Sequence, residues 1–424
     1  MPSIFLPFGA TAFQLPVEAD LLAPPETPAL DDEAGAILQA LDHPTACEPL
    51  ASLVKPGETV VIIVNDITRL ARSDMFLPPI VDTLNRGGVP DGDISIVFAL
   101  GTHRAQTEAE MRAIVGAGIA RRIRMYDHDG DDDANLVDVG TTSFGNRVEI
   151  NRRVFEADRI ILTGEIIFHQ IAGYSGGRKS LLPGVAGNRT TTFNHRMVLD
   201  PRCGAGILDG NPAHEDMLEG SRMVGPDFVV NVVLSPAGKL LYVAAGDVEQ
   251  AHLEGCRAAD RLLRTYIDRP YDMVIASAGG APLDIDLRQA HKGMENACAA
   301  LRPGGTLYYY AECADGLGSA KLEHYLETYT SEVEMESALE QNFVVGGHKA
   351  LWLARIGKRY DAHLVTNLDA RIVKQCGFQA VLREEHKIRL FELIQQITPG
   401  RIAVMPHAGF TRPALRDIGR KTND

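Results

Sequence analysis

Short apolar runs rich in β-branched residues alternate with longer amphipathic stretches along the chain. That pattern restricts the fold to α/β, with mostly parallel sheets flanked by helices on both faces. The first strand candidates are 58–66 (ETVVIIVND), 93–103 (DISIVFALGTH) and 157–167 (ADRIILTGEII). Between the first two, the spacing predicts a helix capped by Ser73 or Asp74 and stopped by Gly87 or Gly88. A capping box at Thr107 and Glu110 opens another helix. Apolar runs on either side of Pro236-Ala237-Gly238 predict a hairpin near 227–246, followed by a helix over 252–267. A fresh α/β pattern begins at 271–280, continues through a helix within 286–305 and returns as a strand over 304–313. Two domains follow, residues 1–267 and 268–424, parted near Asp268-Arg269-Pro270, and the two halves read as similar open sheets.

Charge and cysteine usage narrow the function. The 424 residues carry 56 acidic and 42 basic side chains, a formal charge of -14, which disfavours holding nucleic acid over a broad face. The six cysteines stand far apart with no C-x-x-C pair, so reduced thiols rather than a zinc or thiol-exchange centre are expected. No basic n-region with an apolar core opens the chain, and no segment approaches the roughly 20 apolar residues of a membrane span. A cytoplasmic protein is expected, and a homo-oligomer stays open.

In open α/β sheets, ligands bind at the carboxyl ends of strands. Two strands of the first half end in chemistry-bearing residues: Asn65-Asp66-Ile67-Thr68-Arg69 and Gly101-Thr102-His103-Arg104. Asp66 is read either as a helix cap paired with Arg69 or as a site residue, while the planar fork of Arg69 suits a carboxylate. The densest segment runs from His169 through Gly173-Tyr174-Ser175-Gly176-Gly177-Arg178-Lys179-Ser180 to Pro183-Gly184. Gly173–Gly177 fits G-x-S-x-G, which would make Ser175 a hydrolase nucleophile, but Pro183-Gly184 interrupts the long helix that such an elbow requires. The same stretch has the length of a P-loop with Arg178 where the second glycine belongs. Gly176 and Gly177 nevertheless permit backbone N–H groups to converge on a phosphate, and a partly desolvated Lys179 is a candidate for covalent attachment. His195 stands in a polar island with no H-E-x-x-H or H-x-H companion, so any metal on it must draw other ligands from elsewhere. His214 reads as a loop–helix junction. In the second half, Gln289 and Lys292 share a helix face, with Asp284 and Asp286 capping it or lying in its first turn.

With these residues assembled, the sequence resembles the nickel-pincer-nucleotide-dependent lactate racemase family. The resemblance covers nearly the whole chain, from Asp66–Arg69 through Gly101–Arg104 and the His169–Gly184 block to Gln289, Lys292, Glu312–Gly316 and Trp352. The block His-x3-Gly-Tyr-Ser-Gly-Gly-Arg-Lys-Ser is its most specific part. It implies an active site in the inter-domain cleft, with Lys179 attached to the nucleotide, Ser175, Gly176 and Gly177 also binding it, and His195 the protein ligand to nickel. It further implies His103 and His169 as an acid/base pair, Arg69, Lys292, Gln289, Asp66 and Trp352 as substrate-site residues with Arg288 beside them, and a small 2-hydroxy carboxylate as substrate. Enzymes that build the cofactor are implied partners.

One position departs from the family. Arg288 stands where an aromatic residue is expected before Gln289. A guanidinium in a methyl-lined pocket would be an unpaired buried charge, so the expected substrate is larger or more polar than lactate, malate-like diacids first. Two alternatives remain at this level: a serine hydrolase using Ser175, and a non-catalytic nucleotide or metabolite-binding protein.

Overall fold

The computed structural model describes residues 4–15, 17–69, 71–397 and 400–416. They divide into two units, one of Thr27–Leu262 and one that joins the described residues up to Glu26 to those from Leu263 onward.

In the unit Thr27–Leu262 the central strands are continuous apolar runs because the sheet is covered on both faces. Val60, Ile62 and Val64 enter one core and Val61 and Ile63 the other. The six-stranded sheet has the order Leu240–Gly246, Phe228–Leu234, Arg159–Glu165, Val60–Asn65, Ile94–Ala99, Arg124–Asp127. All pairings are parallel except that of Leu240–Gly246 with Phe228–Leu234, the expected hairpin. Numbered along the chain this is 6-5-4-1-2-3, a doubly wound order whose direction reverses between Val60–Asn65 and Arg159–Glu165. The capping box at Thr107 and Glu110 opens the helix Glu108–Arg122. The preceding helix, Ser73–Arg86, departs from expectation at its start: Arg72, at φ 52°, is its N-cap and no side chain caps it, while Gly87 ends it as expected.

A buried carboxylate locks the helices on one side. Asp216, in Pro212–Val224, accepts hydrogen bonds from Thr142 Oγ1 (2.7 Å), Asn146 Nδ2 (2.8 Å) and Asn194 Nδ2 (2.8 Å). Asn194 lies in the helix Asn188–Arg196, so this network fixes the helix that carries His195.

The second unit has an all-parallel sheet in the order Gln379–Val381, Asp361–Val365, Leu301–Tyr310, Tyr271–Ser277, Ile402–Met405, Asp20–Leu21. Its edge strand comes from the start of the chain, which corrects the expected domain division of 1–267 and 268–424. Leu6, Phe8 and Leu15 pack with Tyr308, Tyr310 and Val404, and the Gly9 N–H donates to Asp284 Oδ2 at 2.8 Å. Residues 264–267, expected to end a helix, are instead a strand paired with Arg412–Leu415, and the helix stops at Leu263. Asp284 is not a helix cap: its carboxylate ties Gly9 and the Glu312 N–H together, and Asp286 alone caps Leu287–Cys298. Among the described residues all six cysteines are free, and no helix is long and apolar enough to cross a membrane.

Removing the shared acceptor should leave three buried donors unmatched. Asp216→Ala is expected to lower unfolding free energy by about 3 kcal/mol, measured by chemical denaturation, with Asp216→Asn less severe.

Candidate active site

Three loops leave neighbouring strands around the point where the sheet reverses, and each carries expected site residues. Val60–Asn65 ends into Asp66 and Arg69, Ile94–Ala99 into His103, and Arg159–Glu165 into the His169–Gly184 segment. The Gly101 N–H donates to Gly184 O at 2.9 Å, which joins the second loop to the third. Gly101, at φ 56°, supplies the left-handed turn that makes this approach.

Asp66 is buried, and its hydrogen bonds decide between the two readings of it. Oδ2 lies 2.5 Å from His103 Nδ1, and Oδ1 accepts from Thr68 Oγ1 at 2.8 Å. Burial alone would raise the Asp66 carboxyl; the hydrogen bond and charge of His103, with Arg69 and Thr68, offset this and leave it below the ordinary range. In the neutral form of His103 a carboxylate at Nδ1 places the ring proton there and leaves the Nε2 lone pair as acceptor.

His169 is set the other way. It lies in a short hairpin of Phe168–His169 with Gly173–Tyr174, and the Ile171 and Ala172 N–H groups both donate to its Nδ1 at 3.2 Å. Two donors at Nδ1 leave the proton of the neutral ring on Nε2. The two imidazoles therefore present complementary nitrogens, an acceptor on His103 and a donor on His169.

The glycine-rich loop corrects two expectations. Ser175 Oγ donates to Glu165 O (2.7 Å) and accepts from the Ile167 N–H (2.9 Å), so it braces the hairpin instead of standing beside a base. The N–H groups of Ser175, Gly177 and Lys179 are taken by Ile167 O, Asn231 Oδ1 and Gly176 O, so these three do not form a phosphate cradle. Gly176 (φ 74°) and Gly177 (φ 54°) serve close packing: a Cβ on Gly177 would stand 2.6 Å from His252 Cγ. Lys179 follows in the turn Gly177–Ser180, with no carboxylate in ion-pair distance among the described residues. Burial first, then the Arg69 and Arg178 guanidiniums, hold its amine well below the usual lysine range.

His195 lies near the end of Asn188–Arg196. The helix Pro212–Val224 packs against both this helix and the Gly177–Ser180 turn, which links the two expected cofactor residues through one element. His214 sits in the first turn of that helix, pushed down to about 3 by burial and by Arg178 and Arg222.

In the second unit, Lys292 Nζ donates to Gln289 Oε1 at 2.6 Å, which confirms their shared face. Trp352, in Gly347–Arg359, stacks on buried His291 at 5.3 Å and meets His348 edge-on. The Arg288 Nε is buried without a hydrogen-bond partner, and the residue as a whole is half-buried.

Sequence reading missed Asn231 and His252, which shape the lysine loop. An asparagine inside the apolar run FVVNVVL was the available signal for the first; His252 carried none.

Residues 8–206 match the lactate racemase N-terminal domain and residues 267–408 the lactate racemase C-terminal domain. The lactate racemase of Thermoanaerobacterium thermosaccharolyticum is 34% identical over 326 residues, covering 75% of this chain and 76% of the relative. That of Lactiplantibacillus plantarum is 36% identical over 297 residues, 69% of each chain. The structure of the lactate racemase apoprotein from Thermoanaerobacterium thermosaccharolyticum aligns with a TM-score of 0.89 at 29% identity, covering 98% of this chain and 100% of that one. A Thermotoga maritima protein, 19% identical with a TM-score of 0.70 over 93% of this chain and 100% of that one, shares the fold. Two successive domain matches and two relatives above 30% identity over two thirds of the sequence agree: the chain belongs to the lactate racemase family.

Proposed function

We propose that this chain is an isomerase that inverts the stereocentre of 2-hydroxy acids, with a nickel-pincer nucleotide held at Lys179 and His195. The observation that carries the reading is the pair of imidazoles whose Nδ1 contacts give one an accepting and the other a donating Nε2. Inverting a carbinol carbon calls for proton transfer on two sides, and such a pair supplies it.

The residues fit the cofactor. Lys179, with no acidic partner among the described residues and its ammonium disfavoured by burial, suits attachment through its amine. Among the described residues no three His, Cys, Asp or Glu side chains gather to hold a metal, so nickel on His195 would take its other donors from the nucleotide. When bound, the cofactor supplies a hydride acceptor, which spares the site from forming a carboxylate-stabilised carbanion. His103 takes the hydroxyl proton at Nε2 while Asp66 balances the imidazolium that forms. A planar 2-keto acid would result; once it has turned and taken the hydride back on its other face, His169 would donate the proton to the oxygen. Arg69, Lys292 and Gln289 are proposed to hold the carboxylate and the oxygen, and Trp352 to wall the substrate. Arg288 favours a substrate with a second carboxylate, a malate-like diacid, which would give its buried Nε a partner. The hydrolase reading loses its basis, since both bonding directions of the Ser175 hydroxyl are spent on backbone.

Protein made together with the cofactor-building enzymes should convert one enantiomer of a 2-hydroxy acid, deuterated at the carbinol carbon, into its mirror form with the label retained. It should also gain mass at Lys179, and Lys179→Ala should show neither. Loss of the label to solvent, or no inversion by loaded protein, rejects the reading. Asp66→Asn, which removes the charge at His103 Nδ1, should lower kcat on the order of 10³-fold with KM little changed. Arg288→Leu should reduce kcat/KM for malate on the order of 10²-fold and spare lactate, as steady-state rates on both acids will show.

A further inference from the structure

Arg178 is a wholly buried cation whose hydrogen-bond contacts are all to neutral groups. At 1% exposed, its Nη1 donates to Tyr174 O (3.1 Å) and Gly176 O (3.2 Å), and its Nη2 to Ala172 O (2.7 Å). Nη1 also lies 2.9 Å from His252 Nε2, and Nε is buried with no hydrogen bond at all. No carboxylate stands in ion-pair distance among the described residues. Burial holds the guanidinium down at about 10, still cationic at neutral pH. A buried charge without a counter-charge is among the costliest groups a core can contain, and an apolar side chain of similar size would be cheaper.

Two features of the placement give that cost a purpose. The three carbonyls turned onto the guanidinium belong to residues 172, 174 and 176, the segment that separates His169 from Lys179. One planar fork thus sets the path between a proposed acid/base group and the proposed attachment residue. The second feature is charge. Arg178 precedes Lys179 within a single tight turn, and the charged and titratable groups about that turn are Arg69, His214, His252 and Cys256. Burial and Arg178 oppose protonation of His252 and His214, so neither is a counter-charge. The Cys256 thiol is held up at about 12 by burial.

We propose that Arg178 is a positioning residue for cofactor attachment: its fork fixes the backbone between His169 and Lys179, and its charge, one residue away in the same turn, opposes a second positive charge on Lys179. The proposal rests on Lys179 being the attachment residue, yet its test needs neither cofactor nor substrate, so the two fail separately.

The test uses full-length protein from a host lacking the cofactor-building enzymes. Competitive acetylation with acetic anhydride across a pH series, read by peptide mass spectrometry, compares Lys179 with exposed Lys239. In the wild type the Lys179 midpoint should lie below that of Lys239. Arg178→Met, shown folded by circular dichroism, should move it up toward that of Lys239. Arg178→Lys should keep the low midpoint but lose the fork, with faster amide hydrogen exchange at Ser175 and Gly177. Equal midpoints in the wild type overturn the proposal, as does an unmoved midpoint in folded Arg178→Met or unchanged exchange in Arg178→Lys. Should Arg178→Met not fold, the wild-type comparison and Arg178→Lys decide.

Discussion

The reversal of strand order between Val60–Asn65 and Arg159–Glu165 is the constraint from which the site grows. Chains leaving two parallel neighbours at such a point depart to opposite sides of the sheet and cannot close over the gap. Asp66 and Arg69 leave on one strand and the His169–Lys179 segment on the other, with His103 arriving from the next strand. The strands beneath are buried on both faces, so these loop residues start from fixed positions, as the proposed proton transfers would require.

Arg178 and Arg288 differ in what their guanidiniums touch. Arg178 is engaged by three backbone carbonyls and one imidazole, with its Nε unmatched. The buried Nε of Arg288 likewise has no partner. A buried fork whose acceptors are backbone carbonyls organises the chain around it.

Much of this was legible in the residues, and the limits have physical causes. The central strands could be read because burial on both faces leaves an unbroken apolar run, and the Thr107–Glu110 box because capping is local chemistry. The pairing of Asp66 with His103 could not be read: the residue types and strand ends were visible, but contact across 37 positions depends on which strands adjoin. The same holds for residues 20–21, whose partners lie at 403–404, and for residues 264–267, where pairing with Arg412–Leu415 overrides a helical pattern. The glycines of the lysine loop suggested a phosphate cradle; instead they admit His252 and Ile166 at close range, a packing need that leaves the same sequence signature.

The attachment of the opening segment to the far end of the chain bears on synthesis. Because Asp20 pairs with Ala403, and Gly9 with Asp284, the unit whose first strand leaves the ribosome earliest is completed last. The unit Thr27–Leu262 has all its strands in one continuous stretch and can condense while translation proceeds. The strand Asp20–Leu21 must wait through that interval for Ile402–Met405, the strand it pairs with.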